Sequence, residues 1–303
     1  MARQPGVMDI FKAFLVNLRP RQWTKNLLLF AGVIFAQKLG ESACLTRAFL
    51  GAAVFCLASG AVYIYNDMID RDLDRLHPYK KLRPIPSGRL PLVWAVRGCL
   101  VLIGFCLLSG WMLGREFLGM LAIFFLWNWL YTRWLKRVPV LDVMGIGMSF
   151  VIRATAGVMV LLPSCPEVGI SSWLLLCTFF LSLFLGFCKR RDELLRLDTS
   201  QGTTRPVLHD YSEPMLNALI GGSFALTTMM YALYTIWPAT VEHFGTQNLI
   251  YTLPFVLIGM GRYLYLVFLE DMGGKPHEIL LNDAFIQVIV VSWVGVAIKI
   301  IGI

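Results

Sequence analysis

Apolar residues run along the chain in long blocks separated by short polar breaks. The blocks fall at about 26–38, 46–65, 92–113, 116–134, 138–162, 171–188, 214–237, 247–269 and 282–303. Most approach the roughly 20 residues that carry a helix across a bilayer; the first is short. The ten-residue alternation that builds a membrane β-barrel is not seen. The pattern predicts an all-α polytopic membrane protein with about nine transmembrane helices. Residues 1–25 are interrupted by charges and lack the apolar core of a cleavable signal peptide. Within them MDIFKAFLVNLR (8–19) predicts an amphipathic helix lying along the interface. With no long linker or soluble segment, residues 1–303 are expected to form a single integral-membrane domain.

Charge refines the picture. Of 303 residues 57% are hydrophobic and 15% charged, with a net charge of +8. Arg3, Lys12, Arg19, Arg21 and Lys25 precede the first block, and the alternate loops carry Arg71–Arg89, Arg133–Arg137 and Lys189–Arg205. The other loops hold few bases, which places the N-terminus in the cytoplasm by the positive-inside rule. The positive charge is then topological and calls for no nucleic-acid partner. The seven cysteines have neither CxxC nor metal-site spacing, and Cys165 is the one expected to be exposed.

One polar break stands out. YNDMIDRDLDRLHPYKKLRPIPSGR (65–89) sets a cluster of acids and one carboxamide ahead of a run of bases, directly after an apolar block. Asn66, Asp70 and Asp74 are spaced four apart, so on a helix they fall along one side, with Asp67 at the edge of that stripe. Oxygen ligands so arranged suit Mg²⁺, which takes one or two carboxylates and fills its shell with water and phosphate oxygens. Asp67, Asp70 and Asp74 are the candidate catalytic acids, and Asn66, Asp70 and Asp74 the candidate metal ligands. Lys80, Lys81 and Arg83 are placed to neutralise a polyanionic substrate. An ordinary cytoplasmic loop explains the bases but not the adjacent acids, whose repulsion calls for a cation.

Further candidates for substrate binding are scattered. Arg21 and Lys25 in RPRQWTKN (19–26) are either interfacial anchors or seats for an anionic head group. Arg153 lies deep in the fifth block, on roughly the face of Asp142, with Tyr131 and Lys136 just before. A buried arginine in a span usually faces a polar cavity or a partner, and the cavity is preferred here. In GFCKRRDELLRLD (186–198), Lys189, Arg190 and Arg191 are candidate phosphate ligands. Asp192 and Glu193 are ligands for a second metal or mere counter-ions. Arg262 and Asp283 are candidates for the same cavity.

Taken together these residues resemble the UbiA superfamily of intramembrane prenyltransferases, whose nine helices surround a central cavity. The specific element is N-D-x-x-D-x-x-x-D at 66–74, which in that superfamily holds Mg²⁺ and a diphosphate. RPRQWTKN, DRLHPYKKLRPIPSG, RATAG, GFCKRRDEL and PFVLIGMGRYLYL are similar to the decaprenyl-phosphate phosphoribosyltransferase branch. That resemblance implies Mg²⁺-dependent transfer of a 5-phosphoribosyl group from phosphoribosyl pyrophosphate (PRPP) to a polyprenyl phosphate. It also implies a cytoplasm-facing site in the inner membrane. Prenyl-diphosphate users carry a second D-x-x-x-D after the sixth helix; here Arg196 stands four after Asp192 and Asp198 is six away. The rival expectations are a prenyl transferase acting on an aromatic acceptor, and a non-enzymatic transporter or lipid carrier.

Overall fold

The computed structural model describes residues 6–196, 206–270, 273–274, 279 and 282–301, and among them there are helices and turns but no strands. Asp198 and Arg205 lie outside these residues. The chain divides into two compact units, Met1–Ile170 with Gly202–Pro206, and Ser171–Gln201 with Val207–Ile303.

The first unit contains α1 (Val7–Asn17), a 3-10 segment (Pro20–Leu29), α2 (Phe30–Phe35), α3 (Ser42–Ile69), α4 (Arg71–Leu76), α5 (Leu92–Leu113), α6 (Arg115–Arg133) and α7 (Leu141–Met159). α1 buries Ala13 and Asn17, while Val7, Met8, Phe11, Leu15 and Val16 stay exposed. Phe55 on α3 packs against Phe117 and Phe124 of α6, with ring centroids 5.8 and 5.0 Å apart. A second apolar cluster joins Ala13, Leu18, Ile64, Ile85 and Leu90. Ile85 and Leu90 belong to the loop after α4, so their burial folds that loop back on the end of α3. Gly88, at φ 80°, supplies the left-handed residue that reverses it.

The second unit contains α8 (Ser172–Leu195), α9 (Glu213–Ile236), α10 (Pro238–Phe244), α11 (Leu253–Leu269) and α12 (Ala284–Ile301). Ser171 and Ser212 cap α8 and α9 by accepting hydrogen bonds from Leu174 and Met215, both 3.3 Å. Phe184 packs on Phe224 and Tyr263, joining α8, α9 and α11. Trp293 on α12 donates to the Tyr231 hydroxyl at 2.8 Å.

Among the described residues seven helices are long and apolar enough to cross a membrane: Ser42–Ile69, Leu92–Leu113, Leu141–Met159, Ser172–Leu195, Glu213–Ile236, Asn248–Leu269 and Ala284–Ile301. Two of the nine expected spans are thus not among them. α6 forms as a helix of 19 residues, but Arg115, Glu116, Asn128, Thr132 and Arg133 lower its hydropathy. The first block is a 3-10 segment followed by a six-residue helix. Its backbone lies directly on α7: a Cβ added at Gly157 would come within 2.1 Å of the Leu29 carbonyl oxygen, and one at Gly32 within 2.6 Å of the Gly157 oxygen. Only glycine permits that approach, which tertiary packing rather than hydropathy dictates.

The cysteine expectation is overturned. Cys165 is fully buried and disulfide-bonded to Cys44, with Cα atoms 6.5 Å apart. Beside the bond Lys38 holds Glu41 at 2.6 Å and Glu167 at 2.9 Å.

Candidate active site

The acid motif spans the junction of α3 and α4. The helix is interrupted at Asp70, yet the i→i−4 bonds continue: Asp70 donates its backbone N–H to Asn66 at 2.9 Å and Asp74 to Asp70 at 2.8 Å. The stripe of Asn66, Asp70 and Asp74 therefore keeps its register.

Each acid meets cations brought from elsewhere in the first unit. Asp67 is buried, at 1% exposure, where Arg19 donates to its two carboxylate oxygens, at 2.7 Å to Oδ2. Arg83 Nη1 lies 3.0 Å from Asp67 and 2.7 Å from Asp74, bridging the two. Lys80 stands 3.9 Å from Asp74. Lys136, in the turn after α6, reaches Asp70 at 2.5 Å and the side-chain Oδ1 of Asn66 at 3.4 Å, and Thr132 donates to that same Oδ1 at 3.4 Å. Burial raises the Asp74 carboxyl above its ordinary value, against the opposing pull of Arg83 and Lys80.

Arg19 was not singled out from sequence, although its neighbours Arg21 and Lys25 were. Both of these are exposed, and it is Arg19 that reaches the motif. Its backbone lies in the left-handed region (φ 53°, ψ 63°), ahead of Pro20. A non-glycine residue holds that conformation only where its surroundings over-determine it, here through Asp67 and the face of Tyr63, 5.1 Å away.

The other candidates divide. Lys81 is exposed; Asp142 is fully buried at the start of α7, and the Tyr131 ring lies against Gly145. Arg153 is buried and bonds internally, donating to Asn26 at 2.9 Å, to the Ser149 hydroxyl and carbonyl at 2.8 Å, and to Ser59 at 3.4 Å. Its guanidinium also faces Phe124 at 4.8 Å. It ties α7 to α3 and the 3-10 segment.

In the second unit Arg190 pairs with Glu193 at 2.7 Å, and Lys189 lies 3.9 Å from the same acid. Arg191 binds Asn217 and Glu213, both at 2.8 Å, and Arg196 holds Asp192 at 2.9 Å. Arg262 pairs with Asp283 at 2.8 Å, while Asp283 also caps α12 through Ile286 N–H at 2.8 Å. Each expected anion ligand of this unit thus lies against an acid, Lys189 and Arg190 sharing Glu193.

The donor set at 66–74 fits a hard divalent cation, being carboxylate and carboxamide oxygen throughout. The three carboxylates do not converge: among the described residues the only three acidic or sulfur ligands within 4.8 Å of one another are Glu41, Cys44 and Cys165, whose thiols are spent in the disulfide. Arg83 stands between Asp67 and Asp74, and Lys136 between Asn66 and Asp70. An ion here would take one or two carboxylates and need oxygens from water or substrate, the coordination Mg²⁺ favours. Four cations (Arg19, Lys80, Arg83 and Lys136) face these three carboxylates.

The profile of the UbiA prenyltransferase family matches residues 27–278. This chain belongs to the UbiA family. UbiA proteins are membrane-bound transferases, and so is this one. Similar curated proteins carry the name decaprenyl-phosphate phosphoribosyltransferase. That of Mycolicibacterium smegmatis is 28% identical, covering 95% of this chain and 92% of its own. That of Corynebacterium glutamicum is 29% identical, over 96% and 87%. Among solved structures, a UbiA homolog from Archaeoglobus fulgidus bound to GPP and Mg²⁺ superposes with a TM-score of 0.71 at 18% identity, covering 96% of this chain and all of that one. The UbiA fold is thereby shared over 96% of this chain.

Proposed function

We propose that this UbiA protein transfers a 5-phosphoribosyl group from PRPP to a polyprenyl phosphate and releases pyrophosphate, with Mg²⁺ at Asn66, Asp70 and Asp74. The observation that carries this is the convergence of Arg19, Arg83 and Lys136 on the acid motif, on a chain aligned over most of its length with named phosphoribosyltransferases.

The donor's diphosphate is the leaving group, so the site must hold charge that grows as the anomeric bond breaks. When bound, Mg²⁺ supplies Lewis-acid neutralisation of that charge. Arg83 and Lys80 sit against Asp74 and offer fixed positive charge to the diphosphate. Arg19 fixes Asp67, and Lys136 with Thr132 fixes Asn66, so both side chains are oriented before substrate arrives. The acceptor phosphate is already anionic and needs no general base. In-line attack inverts the anomeric centre.

The rival reading, prenyl transfer to an aromatic acceptor, expects a second acidic motif. Its place in the second unit holds Asp192 bound to Arg196, which favours the phosphoribosyl reading. The active site is assigned to the cytoplasmic side of the inner membrane. Two observations support that orientation: the basic loops at the motif end, and the Cys44–Cys165 disulfide near the other end of α3. Those two ends are about 35 Å apart along the helix, and disulfides persist in oxidising compartments.

The test uses purified protein with Mg²⁺, labelled PRPP and polyprenyl phosphates of several lengths. Label should enter the organic phase, and EDTA should prevent it. No labelled lipid, together with consumption of a prenyl diphosphate and an aromatic acid, would establish the rival.

A further inference from the structure

The outer face of the first unit carries a groove that the proposed reaction does not use. It lies between α3, α5 and α6, has a volume of about 510 Å³, and is almost wholly apolar. Val62, Tyr65, Leu100, Ile103, Leu126 and Trp129 line it. Leu100 and Leu126 are exposed, so it opens outward rather than into the core. Such a volume matches the roughly 300–1,000 Å³ of sites for apolar ligands.

Its polar chemistry is concentrated at one end. Arg133, one turn beyond Trp129 on α6, donates from Nε to the Tyr65 hydroxyl at 3.1 Å. No carboxylate lies within ion-pair distance of this exposed guanidinium among the described residues. α6 divides its terminal polar groups between two directions: Thr132 and the following Lys136 reach Asn66 and Asp70, whereas Arg133 turns to the groove. Trp129 and Trp134 pack edge to face beside it, with centroids 5.2 Å apart, and Trp94 is exposed on the first turn of α5. Tryptophan and arginine together mark the depth of lipid head groups.

We infer that this groove holds an anionic glycerophospholipid of the surrounding bilayer, one acyl chain between α3, α5 and α6 and its phosphate on Arg133. The argument is charge complementarity at the end of an apolar bed: the guanidinium keeps both Nη groups for an anion, and the bed offers a chain no polar partner. The site needs only the membrane setting of the protein, not the proposed reaction. Because Tyr65 adjoins Asn66 and Arg133 adjoins Thr132, a lipid seated here would brace the helix ends that carry the motif.

The experiment is native mass spectrometry of the full chain, stripped of lipid and re-equilibrated with equal amounts of phosphatidylglycerol and phosphatidylcholine of matched chains. One phosphatidylglycerol per chain should be retained with a preference of about fivefold, the effect of one basic residue at an anionic surface. Arg133→Gln should erase the preference, and Arg133→Lys should keep most of it. Leu100→Trp, which fills the bed, should lower retention of both lipids while the melting temperature stays near wild type. An unchanged preference in Arg133→Gln would overturn the site. So would Arg133-dependent displacement by a polyprenyl phosphate, which would make the groove an acceptor site. Lipid-free oligomers would overturn it too, by showing a second copy as the occupant.

Discussion

Both units carry a cluster of acids and bases at the end of a long helix, yet they pair them differently. In the first, partners are distant in sequence: Arg19 is 48 residues from Asp67, and Lys136 is 66 from Asp70. In the second, Glu193 and Asp192 take arginines three and four residues away on the same helix, although Arg191 reaches Glu213, 22 residues on. Local pairs of the second kind form on almost any helix and contribute little. The distant kind requires four separate segments to converge on buried carboxylates, which folding tolerates only where the charges are mutually satisfied. A site built to exchange those cations for a metal and a polyanion has that character; a solvated charge cluster does not.

The comparison breaks most directly at the motif. Asp70→Ala and Asp74→Ala should each lower transfer by on the order of 10²–10³-fold or more, with the protein still monodisperse in detergent. Full activity in both would remove the assigned site.

The first unit is also the one with a cross-link among the described residues. Cys44→Ser should cost about 2–4 kcal/mol of stability, since the bond closes a loop of 121 residues. Melting of wild type under reductant should fall to the level of the variant. Identical melting of both proteins under oxidising conditions would mean that the thiols are not joined.

Arg83 tests the bridging itself. Arg83→Gln leaves Asp74 with Lys80 alone among its close cations and Asp67 with Arg19. A fully buried pair would lose roughly 3–5 kcal/mol; Arg83 is 29% exposed, so about 2 is expected. The sign with pH follows from Asp74, whose carboxyl is already raised by burial. Removing Arg83 raises it further, so the acid limb of the rate profile should move to higher pH. The stability deficit should also grow as pH rises above the ordinary carboxylate range, where Asp74 must ionise without its partner. A profile superimposable on wild type would count against the bridge.

Much of this was legible in the sequence. The helices α3, α5, α7, α8 and α9 follow apolar blocks, and the spacing of Asn66, Asp70 and Asp74 survives the break at Asp70. Arg83 was legible as a nearby cation, whereas Lys136 was a candidate only beside Asp142 and Arg153 and not as a partner of the motif. Arg19 and the Cys44–Cys165 bond were not, because spacing encodes neighbours on one element and says nothing of residues joined by tertiary packing. The local form of the first block was not legible either, for a related reason: hydropathy marks an apolar stretch, but contact of Gly32 and Gly157 with opposing backbone favours a short helix laid on α7. Arg153 looked like a cavity cation, yet Asn26, Ser59 and Ser149 come from three segments to bond it.

The smallest expected effect sharpens the comparison from the other side. Arg196→Asp would rebuild D-x-x-x-D on α8 by replacing the 2.9 Å partner of Asp192 with a like charge one turn away. Loss of a pair whose arginine is 63% exposed, plus repulsion at that spacing, should cost about 1 kcal/mol. Transfer activity should fall less than about threefold, because nothing in the proposed reaction uses this pair. The informative readout is the response to divalent cation. Two carboxylates facing each other on one helix side need a counter-ion, so Mg²⁺ should raise the melting temperature of the variant more than that of wild type. Equal responses would mean that the second unit lacks more of a metal site than one aspartate, and that Arg196 replaced nothing.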